Sequence, residues 1–403
     1  MSTDCLPVTC NLLRICRSQL RRLGGRKQAK SPPILSHEFV IQNHADIMSC
    51  FAMLFVVGLM LKATNPIASM FVTLQQNITG SEEVAEGELP QPWRYTSSLR
   101  DLATVFFYTI ICVVIHAVIQ EYLIDKVKNR MHLSKTKTAK FSESGQLAFF
   151  YLASTAVGAY IISEEKYLTQ ISLLWLDYPG AHTSMNFLQK FYFIVQLAYY
   201  LHNYPEFYFQ KVKREEMRSR ALYTTVYLLF IAAAYILNFT RVCLFILTIH
   251  YTSELVYHLA RIAHFTEKSG VSRPLWRAWN LCFALARLAS VTLAVLTFWY
   301  GLRLTETARI DPPTGNYNTT FIRLNCLLAV CGVQIWLGWN FIFAWLRRAR
   351  ERAPPTKRRH HHETRSAAAQ KKKQQQQQQQ RQDSEDFHAL PEADRDLRQR
   401  KGQ

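Results

Sequence analysis

Three residues on one predicted helix carry the densest chemistry in this chain. His250, Glu254 and His258 recur every four positions inside an apolar run, so a helix sets them in one row, with Arg261 beyond and Tyr257 beside them. Two imidazoles and a carboxylate could ligate Zn or Fe, but this row stretches over about 12 Å of helix, too far for one ion. A buried glutamate could serve acid and base chemistry, yet no nucleophile or paired partner accompanies it in the sequence. The third reading is a hydrogen-bonded seam that specifies packing or lines a hydrated pocket. The same reading covers His116 and Gln120, four apart with Glu121 adjacent, and Gln196, His202 and Arg287 on other apolar runs. No catalytic residue, metal site or cofactor is assigned.

These residues are informative because of the elements that hold them. A charged group at the centre of a membrane helix costs about 2.5–3.5 kcal/mol on insertion scales, so it turns toward a bundle interior or a wet cavity. The apolar runs are long enough to cross a hydrocarbon layer of about 30 Å, which takes about 20 residues. About eight are expected: 47–70 (weakened by Lys62 and Pro66), 102–124, 147–163, 187–204, a hairpin over 221–260 broken at Asn238-Phe239-Thr240-Arg241, 276–302 and 321–345. The fold expected is an all-α polytopic membrane protein.

Charge sets the orientation. The 48 Lys and Arg residues give a formal charge of +19, a value that raises nucleic acid as a partner. They sit instead in alternating loops and tails, the positive-inside pattern of membrane topology. Basic segments are the amino-terminal arm, the loop with Lys126, Lys128, Arg130, Lys135, Lys137 and Lys140, the loop from Lys211 to Arg220, the sixth loop and the tail; Glu82, Glu83, Glu86, Glu88, Glu164, Glu165 and Asp177 mark the opposite side. An even number of spans with both termini in the cytosol satisfies every loop, and DNA is excluded as a partner. Three Asn-x-Ser/Thr sequons, at Asn77, Asn238 and Asn318, fall on the side opposite the basic loops. Asn77 is the favoured glycosylation site and Asn318 the second candidate, because Asn238 lies in a turn hard against the membrane.

Nine cysteines include six in or beside apolar runs and three, Cys5, Cys10 and Cys16, in the arm assigned to the reducing cytosol, so no structural disulfide is expected. The arm has its apolar residues before its basic ones, the reverse of a cleaved secretory signal. The division expected is a basic cytosolic arm over 1–45, two spans and their loops over 46–137, a helical bundle over 138–346 and a disordered basic, Gln-rich cytosolic tail over 347–403.

The segments Ser31-Pro32-Pro33 to Asn43-His44-Ala45-Asp46, Asp101 to Tyr108, His116 to Lys126, Ser134 to Gln146 and Gln196 to Lys211 resemble the translocating chain-associated membrane protein (TRAM) family. The resemblance runs from about Ser31 to Arg350. It implies a multi-pass glycoprotein of the endoplasmic-reticulum membrane, beside the protein-conducting channel, that meets nascent secretory and membrane polypeptides at their signal sequences and early transmembrane segments. The ribosome and membrane lipids are further candidate partners; the basic loops suit ribosomal RNA and anionic lipid alike, or topology alone. The 138–346 region also resembles the TLC-type helical bundle of ceramide synthases, which implies an alternative role in binding or modifying lipids. Those enzymes carry a His-His pair and, one span later, a His-Asp pair. Here the corresponding positions are Tyr223-Thr224 and His250-Tyr251, so acyl transfer is not expected and the chain is read as a non-enzyme. The arm before Ser31 and the Gln-rich tail depart from the family pattern.

Overall fold

The computed structural model describes residues 36–79, 93–131, 133–352 and 371–378. The elements in chain order are α1 (His37–Met60), α2 (Asn65–Val72), β1 (Arg94–Thr96), α3 (Asp101–Ile119), α4 (Asp125–Arg130), α5 (Lys135–Glu164), β2 (Ser184–Asn186), α6 (Phe187–Phe209), α7 (Arg214–Ile236), α8 (Thr240–Phe265), α9 (Ser269–Ala294) and α10 (Thr320–Arg352). A π-helical turn, Gln120–Ile124, joins α3 to α4, and another, Val295–Gly301, extends α9. Contacts gather residues up to Gln334 into one unit and those from Ile335 into a second.

Seven of the described helices are long and apolar enough to cross a membrane: α1, α3 with α4, α5, α7, α8, α9 with its extension, and α10. The eighth expected span, α6, has 23 residues but is less apolar, and its burial explains why. Gln189, Lys190, Gln196, His202 and Glu206 are all buried on it. A helix sheltered by protein can carry polar groups that lipid would reject. α6 also runs between the same two ends of the bundle as its neighbours, from the Lys190 contacts at one end to the Glu206 contacts at the other.

The first expected span, 47–70, differs from the structure. Ser36 caps α1 by accepting from the Phe39 amide at 3.2 Å, so the helix starts within the expected 1–45 arm, and it stops at Met60. Asn65-Pro66 then opens α2; Thr64 and Asn65 side chains donate to the Gly58 and Leu59 carbonyls at 2.8 and 2.7 Å, satisfying backbone that the break frees. Proline suits the start of a helix and cannot continue one, which is why the apolar run divides here. The hairpin break lies where expected: α7 ends at Ile236, α8 begins at Thr240, and Asn238 takes the left-handed conformation at φ 59°. The expected disordered tail is corrected in part. α10 continues to Arg352 and residues 371–378, three lysines and five glutamines, form a helix, as residues of good helix propensity can; the rest of the tail and the arm before Ser36 lie outside the described residues.

One end of the bundle collects residues 73–79, 93–100, 165–186 and 302–319. Antiparallel β1 and β2 pair there with Tyr95 opposite Met185, and Asn77 bridges to Tyr95. Beneath this ribbon the Lys190 ammonium reaches the Asp101 carboxylate at 2.8 Å and donates to the Gln75 and Thr96 carbonyls at 2.7 and 2.8 Å. The other Asp101 oxygen accepts from the Ser98 amide and the Tyr235 hydroxyl, both at 2.8 Å. One buried ion pair thus ties α3, α6, α7 and the segments before β1 and α3. The opposite end collects the basic loops, joined by Lys137 to Glu267 at 2.6 Å and by Arg220 and Arg261 to Glu143. α1 begins at this end, where His44 stacks on Phe209 with ring centres 4.3 Å apart.

α8 is the most buried of the spans and packs most extensively on α5 and α9. The α5 contact needs glycine: a Cβ on Gly158 would lie 2.3 Å from Thr248 Oγ1. In the second unit, Trp339 and Phe343 meet edge to face with centres 4.7 Å apart, one helical turn along α10.

Candidate functional site

The α8 row forms as the four-residue spacing requires, and the structure shows what surrounds it. His250 and His258 are buried, and Glu254 is half-buried. Arg287 on α9 places Nη2 2.9 Å from His250 Nδ1, and the Tyr223 hydroxyl on α7 lies 3.0 Å from His250 Nε2. Guanidinium can only donate, so Nδ1 accepts, Nε2 carries the proton and donates to Tyr223, whose hydroxyl lies 3.4 Å from that of Tyr151. Tyr227 stacks on His250 at 4.9 Å. His258 stacks on Tyr151 at 5.6 Å and meets Tyr257 edge to face at 5.0 Å. Glu254 makes no hydrogen bond or ion pair within 4.0 Å among the described residues; Arg287 is the charge that acts on it. Two imidazoles packed flat against tyrosines make a filled aromatic core, and the row is no open route.

His116 and His202 belong to a second site. The His116 and His202 rings are 5.9 Å apart, and His116 Nε2 lies 3.3 Å from Glu206 Oε1, which also accepts from Gln210 at 2.9 Å. His202 Nδ1 donates to the Tyr199 carbonyl, which leaves Nε2 as an acceptor. Gln146 on α5 donates to the His116 carbonyl at 2.9 Å and to Gln120 Oε1 at 3.3 Å. Gln120 donates in turn to Asp125 at 2.9 Å across the π-helical turn, where Glu121 is half-buried. Such turns expose carbonyls that an α-helix would use and recur at functional sites.

Between α3, α5 and α6 lies a cavity of about 240 Å³. Ile115 and Phe149, 46% and 41% exposed, flank its mouth, and its inner wall holds Gln196, Ser154, His202 and His116. Gln196 donates to Ser154 at 3.0 Å and accepts from Tyr251 at 3.0 Å, joining this wall to the aromatic core. The arrangement suits an apolar chain entering from the side, with hydrogen-bonding groups at its back.

The sequence named His116, Gln120, Glu121, His202, His250, Glu254 and His258 as one seam; the fold separates them into these two sites. Glu206, Gln146 and Gln210 were not singled out, and the signal available for Glu206 was a carboxylate one helical turn beyond His202. Arg287 stands out in its apolar run, but nothing in the sequence marks its partner on α8. Asn77 is exposed, and its Oδ1 accepts from the Thr79 amide and hydroxyl at 3.1 Å. Asn318 is 0% exposed, and its Nδ2 donates to the Leu302 carbonyl at 2.6 Å and to Thr305 at 3.1 Å. Nδ2 is the atom a glycan would replace a hydrogen on, so this packing leaves no room for one. Asn238 Nδ2 is likewise donated, to the Gly315 carbonyl at 3.0 Å. The six described cysteines are free.

Helices α5 to α10 coincide with a recognised unit: residues 140–342 match the family described as TLC domain. Over 329 residues the chain is 44% identical to Translocating chain-associated membrane protein 2 of Mus musculus and 43% identical to that of Homo sapiens, matches covering 82% of this chain and 86% of each relative. The chain therefore belongs to the translocating chain-associated membrane protein family of TLC-domain membrane proteins. A shorter likeness, 26% over 136 residues, reaches the Sphingosine N-acyltransferase-like protein ALT7 of Alternaria alternata and covers 33% of this chain and 31% of that one.

Proposed function

We propose that this protein assists the translocation of secretory proteins, and the insertion of signal sequences and transmembrane segments, at the protein-conducting channel of the endoplasmic reticulum. The observation that carries the reading is the side-opening cavity, apolar at its mouth and polar at its back, in a chain 44% identical to a relative named for translocating chains. Its α3 wall lies outside the residues of the TLC match. A client segment with a marginal apolar stretch would place its apolar side against Ile115 and Phe149 and direct a polar group to Ser154 or His202. A gain of about 1.4 kcal/mol there would raise its membrane partitioning tenfold. Both termini lie in the cytosol in this reading, with the basic end of the bundle on that side and an Asn77 glycan on the other.

The test is a photoreactive amino acid at Phe149 of this protein, in microsomes carrying ribosome-bound nascent chains. Adducts with the signal sequence from Phe149, and few from a probe at lipid-facing Leu288, support the site. Equal labelling at both positions would sink it.

Lipid handling is the second reading, favoured by the partial likeness to the acyltransferase-like protein. Chemistry of that kind has little to work with at His250. Both ring nitrogens are engaged, Tyr223 occupies a position where ceramide synthases carry histidine, and Tyr251 stands in place of the carboxylate.

A further inference from the structure

A second cavity, unrelated to the His116 site, opens between α7, α8 and α10. It encloses about 350 Å³. Its walls include Leu229, Phe230, Ala233, Ile246, Phe298 and Ala329, and its lining is apolar apart from two cysteine thiols. Enclosed cavities of about 150 Å³ lined in this way stay dry and bind molecules such as benzene, and this one is larger and opens to the side. Leu229 is exposed on α7, and Ala329 on α10, so the mouth faces the surroundings of the spans, which are lipid.

What distinguishes this space from a gap filled by any acyl chain is its inner end. A recess of about 10 Å³ adjoins it across Val226, Phe230 and Val330 and reaches Gln334 and His250. Gln334 is 8% exposed, and its Oε1 has no hydrogen-bond partner among the described residues. A carboxamide oxygen in that position lacks a donor, and leaving it so costs about 1–3 kcal/mol. His250 cannot supply the donor, because its Nε2 proton goes to Tyr223 and its Nδ1 accepts from Arg287. The recess holds one water-sized group and no more. A single hydroxyl fits that recess and would supply the donor, and an apolar body attached to it would fill the larger space.

We propose that this cavity binds a lipid that joins a compact apolar body to one hydroxyl group, the chemistry of a sterol. The hydroxyl donates to Gln334 Oε1, and the rigid body lies between α7 and α10. A straight-chain alcohol offers the same donor but loses more rotamer freedom on ordering, so it binds more weakly.

The experiment uses the full chain in phosphatidylcholine vesicles with a photoreactive, alkyne-tagged sterol, and sites of labelling mapped by peptide mass. Labelling is expected on α7 and α10 around Leu229 and Ala329, displaced by unlabelled sterol at concentrations at least fivefold below those needed with octadecanol. Gln334→Leu keeps the shape and removes the acceptor, and is expected to weaken labelling about fivefold while leaving a sterol methyl ether probe unaffected. Ala329→Phe blocks the mouth at an exposed position without touching the core and is expected to abolish labelling. Matched size-exclusion profiles for both variants keep the comparison independent of folding. Labelling spread over all lipid-facing helices, equal competition by octadecanol, or loss of both probes alike in Gln334→Leu would overturn the proposal. A water found in the recess of the sterol-saturated protein would overturn it as well.

Discussion

Replacing Lys190 with Met removes one charge from a pair that has no solvent to fall back on. The Lys190 side chain is 0% exposed, and among the described residues its ammonium alone joins Asp101 Oδ1 to the Gln75 and Thr96 carbonyls. Methionine fills most of the volume, so the change is electrostatic. Breaking a buried pair from one side costs about 3–5 kcal/mol, because the remaining carboxylate keeps its desolvation penalty. Asp101 still accepts from Ser98 and Tyr235, which holds the expected cost for Lys190→Met near the lower figure, about 3 kcal/mol. Asp101→Leu should cost at least as much, since it orphans a buried ammonium and the Tyr235 hydroxyl together. In Lys190→Met/Asp101→Leu no buried charge remains, only unpaired amide, hydroxyl and carbonyl groups, so the double variant should be less damaged than the sum of the singles by about 2 kcal/mol or more. Unfolding midpoints of the purified full chain in one detergent, read through tryptophan emission, measure all four corners of the cycle. A single-variant loss under about 1 kcal/mol, or strict additivity, would refute the claim that this pair locks the cap to the bundle.

Other consequences are as specific. Asn77→Gln should abolish the endoglycosidase-sensitive step in gel mobility, and Asn318→Gln should leave it unchanged. Burial, with Arg241 adding to it, pushes His182 in the loop before β2 down from its ordinary value to about 3. The unfolded chain takes up that proton near pH 6.5 and the folded one does not, so stability is full above about pH 6.5 and falls toward pH 3, with a limiting slope of about 1.4 kcal/mol per pH unit from this group; His182→Gln should flatten that part of a pH-dependent unfolding profile. Gly158→Ala should cost about 1–3 kcal/mol by overpacking against Thr248, visible as a lowered midpoint that Thr248→Ala partly restores. Restoring the histidine pair in Tyr223→His/Thr224→His should yield no acyl transfer to a sphingoid base in a mass-spectrometric assay, because Tyr251 supplies no carboxylate.

Membrane helices announce themselves by composition, and most of these did. The hairpin at Asn238 was legible because Asn-Phe-Thr-Arg interrupts forty residues of apolar sequence, and α8 was legible as a polar row because its period is local. The division at Met60 was harder, since Lys62 and Pro66 weaken a run without saying on which side of them the crossing lies; the Ser36 cap, which starts the helix well before residue 47, decided it. The sites were only half legible. A row on one helix can be seen in sequence, but His116 meets Glu206 from ninety residues away and Arg287 meets His250 from thirty-seven, and nothing local to either encodes the pairing. Lys190 went unremarked for the same reason. A lysine near a span end has an ordinary explanation in interfacial anchoring, and only the fold reveals that it points inward.

The low apolarity of α6 bears on how this chain itself is made. Synthesis delivers α6 before α7 and α8, the two helices that later cover Tyr192, Phe193 and Gln196. Until they arrive, Gln189, Lys190, Gln196, His202 and Glu206 have only the earlier segments, chiefly α3 and α5, as company, and release into lipid alone would set each against the insertion cost of a polar group. Lys190 meets Asp101 on the helix already made, which compensates the most expensive of these groups early. In the proposed role, a protein that shelters reluctant segments of other chains contains one of its own, retained by an earlier helix until the later ones close around it.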